Sequence, residues 1–135
     1  MSEILRGPLS LAGRVLLCVI FVMATVGNKI PNYAGTIEVM EKVGVPAPQV
    51  LLPGAIVFLL VGSASVIVGY RASIGAALLA VFLALASYYF HAFWKLEGQA
   101  QQEQMIQFLK NLSMFGAMLF IIANGPGAWS LDAKK

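Results

Sequence analysis

The stretch that decides the fold is Tyr88-Tyr89-Phe90-His91-Ala92-Phe93-Trp94, then a short polar hairpin, then Gln104-Met105-Ile106-Gln107-Phe108-Leu109-Lys110-Asn111. A long apolar run closes on aromatic residues, a polar tip turns the chain, and a second apolar run comes after it. Such a pattern predicts two antiparallel membrane-spanning helices, with Tyr88, Tyr89 and Trp94 as an aromatic belt at headgroup level. The same stretch holds the only histidine and sets Lys110 and Asn111 inside a span. Ionisable groups at that depth are costly and mark functional candidates.

Working outward, composition agrees. Of 135 residues, 59% are hydrophobic and 11% charged, against about 25% charged in soluble domains. The chain reads as one membrane domain over residues 1–135. Its formal charge of +3 is scattered, which excludes the clustered basic surface of a nucleic-acid binder. Cys18 is the only cysteine, so an intramolecular disulfide, a thiolate metal site and self-contained dithiol exchange are all excluded. The first apolar segment lacks an A-x-A-like exit, and Leu17 is too bulky for lipoprotein processing before Cys18. Three more apolar segments lie beyond it, so the first is expected to be retained.

Four spans are expected at about 8–26, 50–70, 73–94 and 104–123, long enough for a hydrocarbon core of roughly 30 Å. Pro8 suits a first helical turn. Gly27-Asn28-Lys29-Ile30-Pro31 ends the first span. Asn32 can cap a short extra helix over 33–43 in the first outer loop, as a surface or an interfacial helix. Pro53 falls early in the second span and Gly125-Pro126-Gly127 closes the fourth. Small residues at Ala55, Gly62, Ser65 and Gly69, and at Ser73, Ala77, Ala80 and Ala84, predict close helix packing, with Leu79 roughly on the opposite face. The expected architecture is all-α, a membrane four-helix bundle with both termini on one side. Arg6, Arg14, Arg71, Lys134 and Lys135 lie on that side, and the positive-inside bias makes it cytoplasmic.

Several polar residues are candidates for chemistry. By helical spacing Gln107, Lys110 and Asn111 share an arc with Glu103, Met114 and Met118. Lys110 either snorkels to the outer interface or opens a polar pocket. His91 lies near the same outer end. It either locks a helix pair through a carbonyl or Asn111, or shuttles a proton, or serves as a metal or haem ligand. A bis-histidine haem is excluded by count. His91, Gln107, Lys110 and Asn111, with Tyr88 beside them and Asn28 at the rim, are the expected polar pocket. Arg14, Lys29 and Arg71 are expected structural anchors. Arg14 has three candidate partners: lipid phosphate, Asp132, or Ser65 and Ser73. No Asp or Glu lies within an expected span, which disfavours a proton-coupled transporter. No nucleophile triad, phosphate loop or metal-ligand spacing is present, so no catalytic residue and no metal site is assigned.

The chain resembles the DoxX family of small bacterial membrane proteins over nearly its whole length. The resemblance rests on Gly13-Arg14, Gly27-Asn28-Lys29, Tyr33-Ala34-Gly35-Thr36, Met40, Gly44-Val45-Pro46, Leu51-Leu52-Pro53 and Gly69 before a basic turn. It continues with Phe90-His91, Leu109-Lys110-Asn111-Leu112 and Gly125-Pro126-Gly127-Ala128-Trp129-Ser130-Leu131-Asp132. It implies a multi-pass protein of the bacterial inner membrane. Some relatives are small subunits of thiosulfate:quinone oxidoreductase, and others are linked to thiol and oxidative-stress complexes. Relatives often carry a glutamate where this chain has Leu59. The implied role is an accessory subunit of a redox-linked quinone or thiol system that binds a small amphipathic molecule, with quinone as the implied cofactor. At most it is an oxidoreductase subunit. The rival is a non-catalytic scaffold that docks a partner. Expected partners are the lipid bilayer, a soluble or membrane oxidoreductase and further copies of the chain.

Overall fold

The computed structural model describes residues 2–134. Met1 and Lys135, the latter one of the basic residues in the charge argument, lie outside the described residues. The described chain is helical: α1 (Glu3–Ala24) continues into a π-helical turn (Thr25–Lys29), then come α2 (Tyr33–Lys42), α3 (Pro48–Val68), α4 (Ala72–Phe90) and α5 (Gly98–Asn124). Among the described residues four helices are long and apolar enough to cross a membrane, namely α1 with its π turn, α3, α4 and α5.

Helix boundaries differ from the sequence expectation, and each difference has a local cause. Ser2 caps α1, its hydroxyl accepting from the Ile4 N–H at 3.2 Å, so the helix starts at Glu3 and Pro8 sits inside it. Pro48, not Pro53, occupies the start of α3. Gly69 ends α3 in the left-handed conformation, φ 75°, where a Cβ would run into Ser130. The polar tip expected over 95–103 is mostly helix, because α5 begins at Gly98 and projects its first turns beyond the apolar run. At 1.5 Å per residue α5 is about 40 Å long. The turn before it is a single 3-10 turn, Phe93–Lys95.

Neighbouring helices pack in the order α1, α3, α4, α5, with α4 between α3 and α5. The closest approach is between α3 and α4. A Cβ on Gly62 would meet Gly75 O at 3.0 Å, and one on Gly75 would meet Gly62 O at 2.9 Å. Small residues make that approach attainable, which matters in lipid where packing drives helix association. Leu79 is fully buried against this crossing, contrary to its expected outward position. Because α4 lies between two helices, Leu79 and Leu83 are covered as well as Ala80, whereas Ser73 and Ala84 of the expected small face are exposed. Cys18, Phe21, Leu59, Val66, Leu83, Met118 and Ile121 complete the central core. Leu59 is fully buried, so this position, where the family resemblance raised the expectation of a glutamate, is apolar core in this chain. A second core, of Met40, Val45 and Leu52, seats α2 on the start of α3.

Residues 125–134 fold back over one end of the bundle. Leu131 N–H donates to Val68 O at 3.2 Å and Asp132 N–H to Gly69 O at 2.7 Å. The Asp132 carboxylate accepts from the Arg71 and Ala72 N–H groups, 2.9 Å each. These bonds bring the α3–α4 turn and the chain beyond α5 to the end where α1 begins.

Candidate functional site

The last turn of α4 and the outer half of α5 carry the polar groups. His91 is the C-terminal cap of α4. Its Nδ1 lies 2.7 Å from Gln104 Oε1. An amide oxygen only accepts, so Nδ1 carries the proton and Nε2 keeps its lone pair in the neutral ring. Hydropathy alone makes Gln104 a helix start. Only the extension of α5 back to Gly98 turns it into the partner of His91.

One turn before His91, Ser87 Oγ donates to Leu83 O at 2.7 Å and accepts from Asn111 Nδ2 at 3.2 Å. The second N–H and the Oδ1 of Asn111 make no hydrogen bond among the described residues. Around this pair lies a groove of about 350 Å³ between α4 and α5, lined by Ser87, Tyr88, Trp94, Phe108, Asn111 and Phe115, among others. Two of its lining residues, Trp94 and Phe108, belong to a chain of edge-on aromatic contacts. Phe93 meets Phe108 with centroids 5.3 Å apart, and Trp94 meets Phe108 at 5.9 Å. Edge-to-face pairs are a favoured geometry. Tyr88 is 59% exposed and forms the open lip.

Of the six residues expected in one pocket, Tyr88 and Asn111 line this groove; His91, bonded to Gln104, does not. Gln107 and Lys110 are exposed on α5 and do not line it; Asn28 is exposed at the end of α1. The inward face of α5 is Gln104, Phe108, Asn111, Phe115 and Met118, rotated from the arc expected on spacing alone. Lys29 is half-buried with its ammonium over the Phe82 ring, 5.5 Å from the centroid. Arg71 takes a left-handed conformation, φ 48°, and its guanidinium lies 5.7 Å from the Tyr70 ring centroid.

Arg14 is 4% exposed. Nε donates to Ile67 O at 3.2 Å, Nη1 to Pro126 O at 2.8 Å and Ala128 O at 2.9 Å, and Nη2 to Trp129 O at 2.5 Å. Its partners are thus main-chain carbonyls, rather than Asp132, Ser65 or Ser73. A further hollow, about 690 Å³ between α1 and α5, includes Leu9, Gly13, Leu17, Gly116 and Phe120 in its lining. Its one charged group is this already bonded arginine. Among the described residues no three His, Cys, Asp or Glu side chains are arranged to hold a metal.

Comparison with known proteins is consistent with the architecture. The family profile described as DoxX matches residues 9–92. The chain is 34% identical over 122 residues to inner membrane protein YqjF of Escherichia coli (strain K12), covering 90% of this chain and 88% of that one. It is 30% identical over 129 residues to inner membrane protein YphA of the same organism, covering 96% and 91%. A shorter similarity, 31% over 74 residues, links it to a Surfeit locus protein 4 homolog of Schizosaccharomyces pombe, 53% of this chain and 24% of that protein. No solved structure matches. Four apolar helices, the profile match and two inner-membrane relatives similar over most of their length lead to one assignment: the chain belongs to the DoxX family and is a multi-pass protein of the bacterial inner membrane.

Proposed function

We propose that this protein is an accessory membrane subunit of a redox-linked system, which holds a small amphipathic molecule of the quinone class in the α4–α5 groove. The observation that supports it is the half-used amide of Asn111 at the floor of an aromatic groove. A flat ring with carbonyls would stack against Trp94 or Phe108 and accept from the free Asn111 N–H, and its apolar tail would leave past Tyr88 into lipid. The volume lies within the usual range of ligand pockets, roughly 300–1,000 Å³. His91, one turn beyond Ser87 on α4 and held by Gln104 with Nε2 left as an acceptor, is the side chain that would take or return a proton.

The test is quinone retention. Protein purified in mild detergent from cells containing quinone is extracted and the quinone quantified against protein. The reading expects retention by the wild type and a loss of about tenfold in Asn111→Leu, the cost of one charge-neutral bond plus an unsatisfied partner. No quinone enrichment in the wild type over an unrelated membrane protein sinks the reading.

One feature favours a second reading, a scaffold that docks a partner. Gln107 and Lys110 lie exposed on α5 within its span, and a partner helix would cover them. Under that reading Lys110→Leu releases a co-purifying protein and leaves any groove ligand in place.

A further inference from the structure

Two cations of the spans are withdrawn from the surface, Arg14 and Lys29, and their surroundings differ. Arg14 is satisfied by four carbonyls. Lys29 is half-buried, its ammonium against the ring of Phe82, and none of its ammonium N–H groups has an acceptor among the described residues. An ammonium brings three donors and a strong demand for hydration. A ring face attracts the charge but accepts little from the N–H groups, and such contacts contribute about 0.5–2 kcal/mol.

The backbone holds Lys29 in this position. Residues Thr25–Lys29 form a π-helical turn, closed by Ile30 N–H donating to Thr25 O at 3.0 Å. A turn widened by one residue rotates the residues after it, and such turns inside helices are frequent at functional sites. Here it stacks Lys29 above Thr25, which is fully buried. Thr25 cannot donate to an oxyanion beside the ammonium, because its hydroxyl proton is already given to Phe21 O at 2.7 Å. Phe82 stands eight residues before the end of α4, about 12 Å along the axis. The amine is therefore directed toward the body of the bundle, where α3 and α4 contain no Asp or Glu.

We infer that Lys29 is a binding site for the anionic headgroup, a carboxylate or a phosphate, of an amphiphile entering from the bilayer. Such an oxyanion completes the ammonium's bonding with charge-assisted hydrogen bonds, while its chain stays in lipid beside α1. Phe82 fixes where the charge sits and the π turn fixes how it faces. This site lies on α1 and α4 and is independent of the α4–α5 groove.

The experiment is native mass spectrometry of the detergent-solubilised full chain, titrated separately with oleate, phosphatidylglycerol and phosphatidylcholine. Lys29→Met is expected to weaken at least one anionic amphiphile about tenfold, and Lys29→Arg to keep it within about threefold. Phosphatidylcholine binding is expected to be unchanged. Dependence for oleate identifies a free carboxylate as the ligand, and dependence for phosphatidylglycerol a lipid phosphate. If neither anion is weakened, or if phosphatidylcholine is weakened equally, the inference is overturned. Should Lys29→Met fail to fold, Lys29→Gln is titrated in its place and read the same way.

Discussion

Asp132 caps a helix that begins sixty residues before it: its two carboxylate oxygens take the N–H groups of Arg71 and Ala72, 2.9 Å each. Orphan donors open every helix, and a negative charge there also meets the positive end of the helix dipole. In α4 the cap arrives from the other end of the chain, because Arg71, the local cap residue, makes no side-chain capping bond. Asp132→Ala is expected to cost about 1 kcal/mol and to expose the α3–α4 turn. Hydrogen exchange at Arg71 and Ala72 measures it. Unchanged protection at both amides would show that the carboxylate adds nothing.

Arg14 should be the most sensitive single charge. Arg14→Met removes a guanidinium bonded to Ile67, Pro126, Ala128 and Trp129 carbonyls. Bonds from charged donors contribute about 1.5–3 kcal/mol each before desolvation is subtracted. A net loss of about 3 kcal/mol is expected. Thermal unfolding in detergent reads the loss, and proteolysis after Ala128 should accelerate. Arg14→Lys should recover only part, since one ammonium cannot span four carbonyls.

How much is legible in the sequence depends on the kind of partner. The spans, the glycine and proline stops and the lone polar candidates come from hydropathy and turn chemistry. The partners of Arg14 do not, because a main-chain carbonyl has no signature in the residue type. Gln104 is hidden for a different reason: hydropathy finds the part of α5 that lies in lipid, and the polar turns from Gly98 onward look like loop. The single wide turn at Thr25–Lys29 is equally silent in a periodic wheel.

Leu79 gives a direct check on helix faces. It is fully buried and faces Gly62. Leu79→Ala should cost about 2–5 kcal/mol through the cavity it leaves. Gly75→Leu should be at least as damaging, since even a Cβ there approaches Ser65 Oγ to 2.5 Å and Gly62 O to 2.9 Å. The control is Leu85→Ala, at an exposed position, which should leave the unfolding temperature nearly unchanged. Equal losses at Leu79 and Leu85 would mean the faces are misassigned.

The orientation across the membrane rests on charge. With the termini cytoplasmic, a cysteine at Gln101 should react with an impermeant thiol reagent added to the periplasm, and one at Ala133 should not. Cys18 is buried, so the native background is low. Arg71→Ala should reduce the bias. Labelling at Ala133 with silence at Gln101 would reverse the assignment.

The contact between Arg14 and residues 126–129 also sets an order of events during synthesis. The ribosome delivers Arg14 early and Trp129 more than a hundred residues later. Through that interval the first span carries a charge that lacks three of its four final acceptors, the carbonyls of Pro126, Ala128 and Trp129. It must wait close to lipid headgroups, where a guanidinium is tolerated, and settles into place only when residues 126–129 have been made. Assembly of this end of the bundle therefore closes with a late step, because a chain that stops before Pro126 lacks three of the four carbonyls to which Arg14 is bonded.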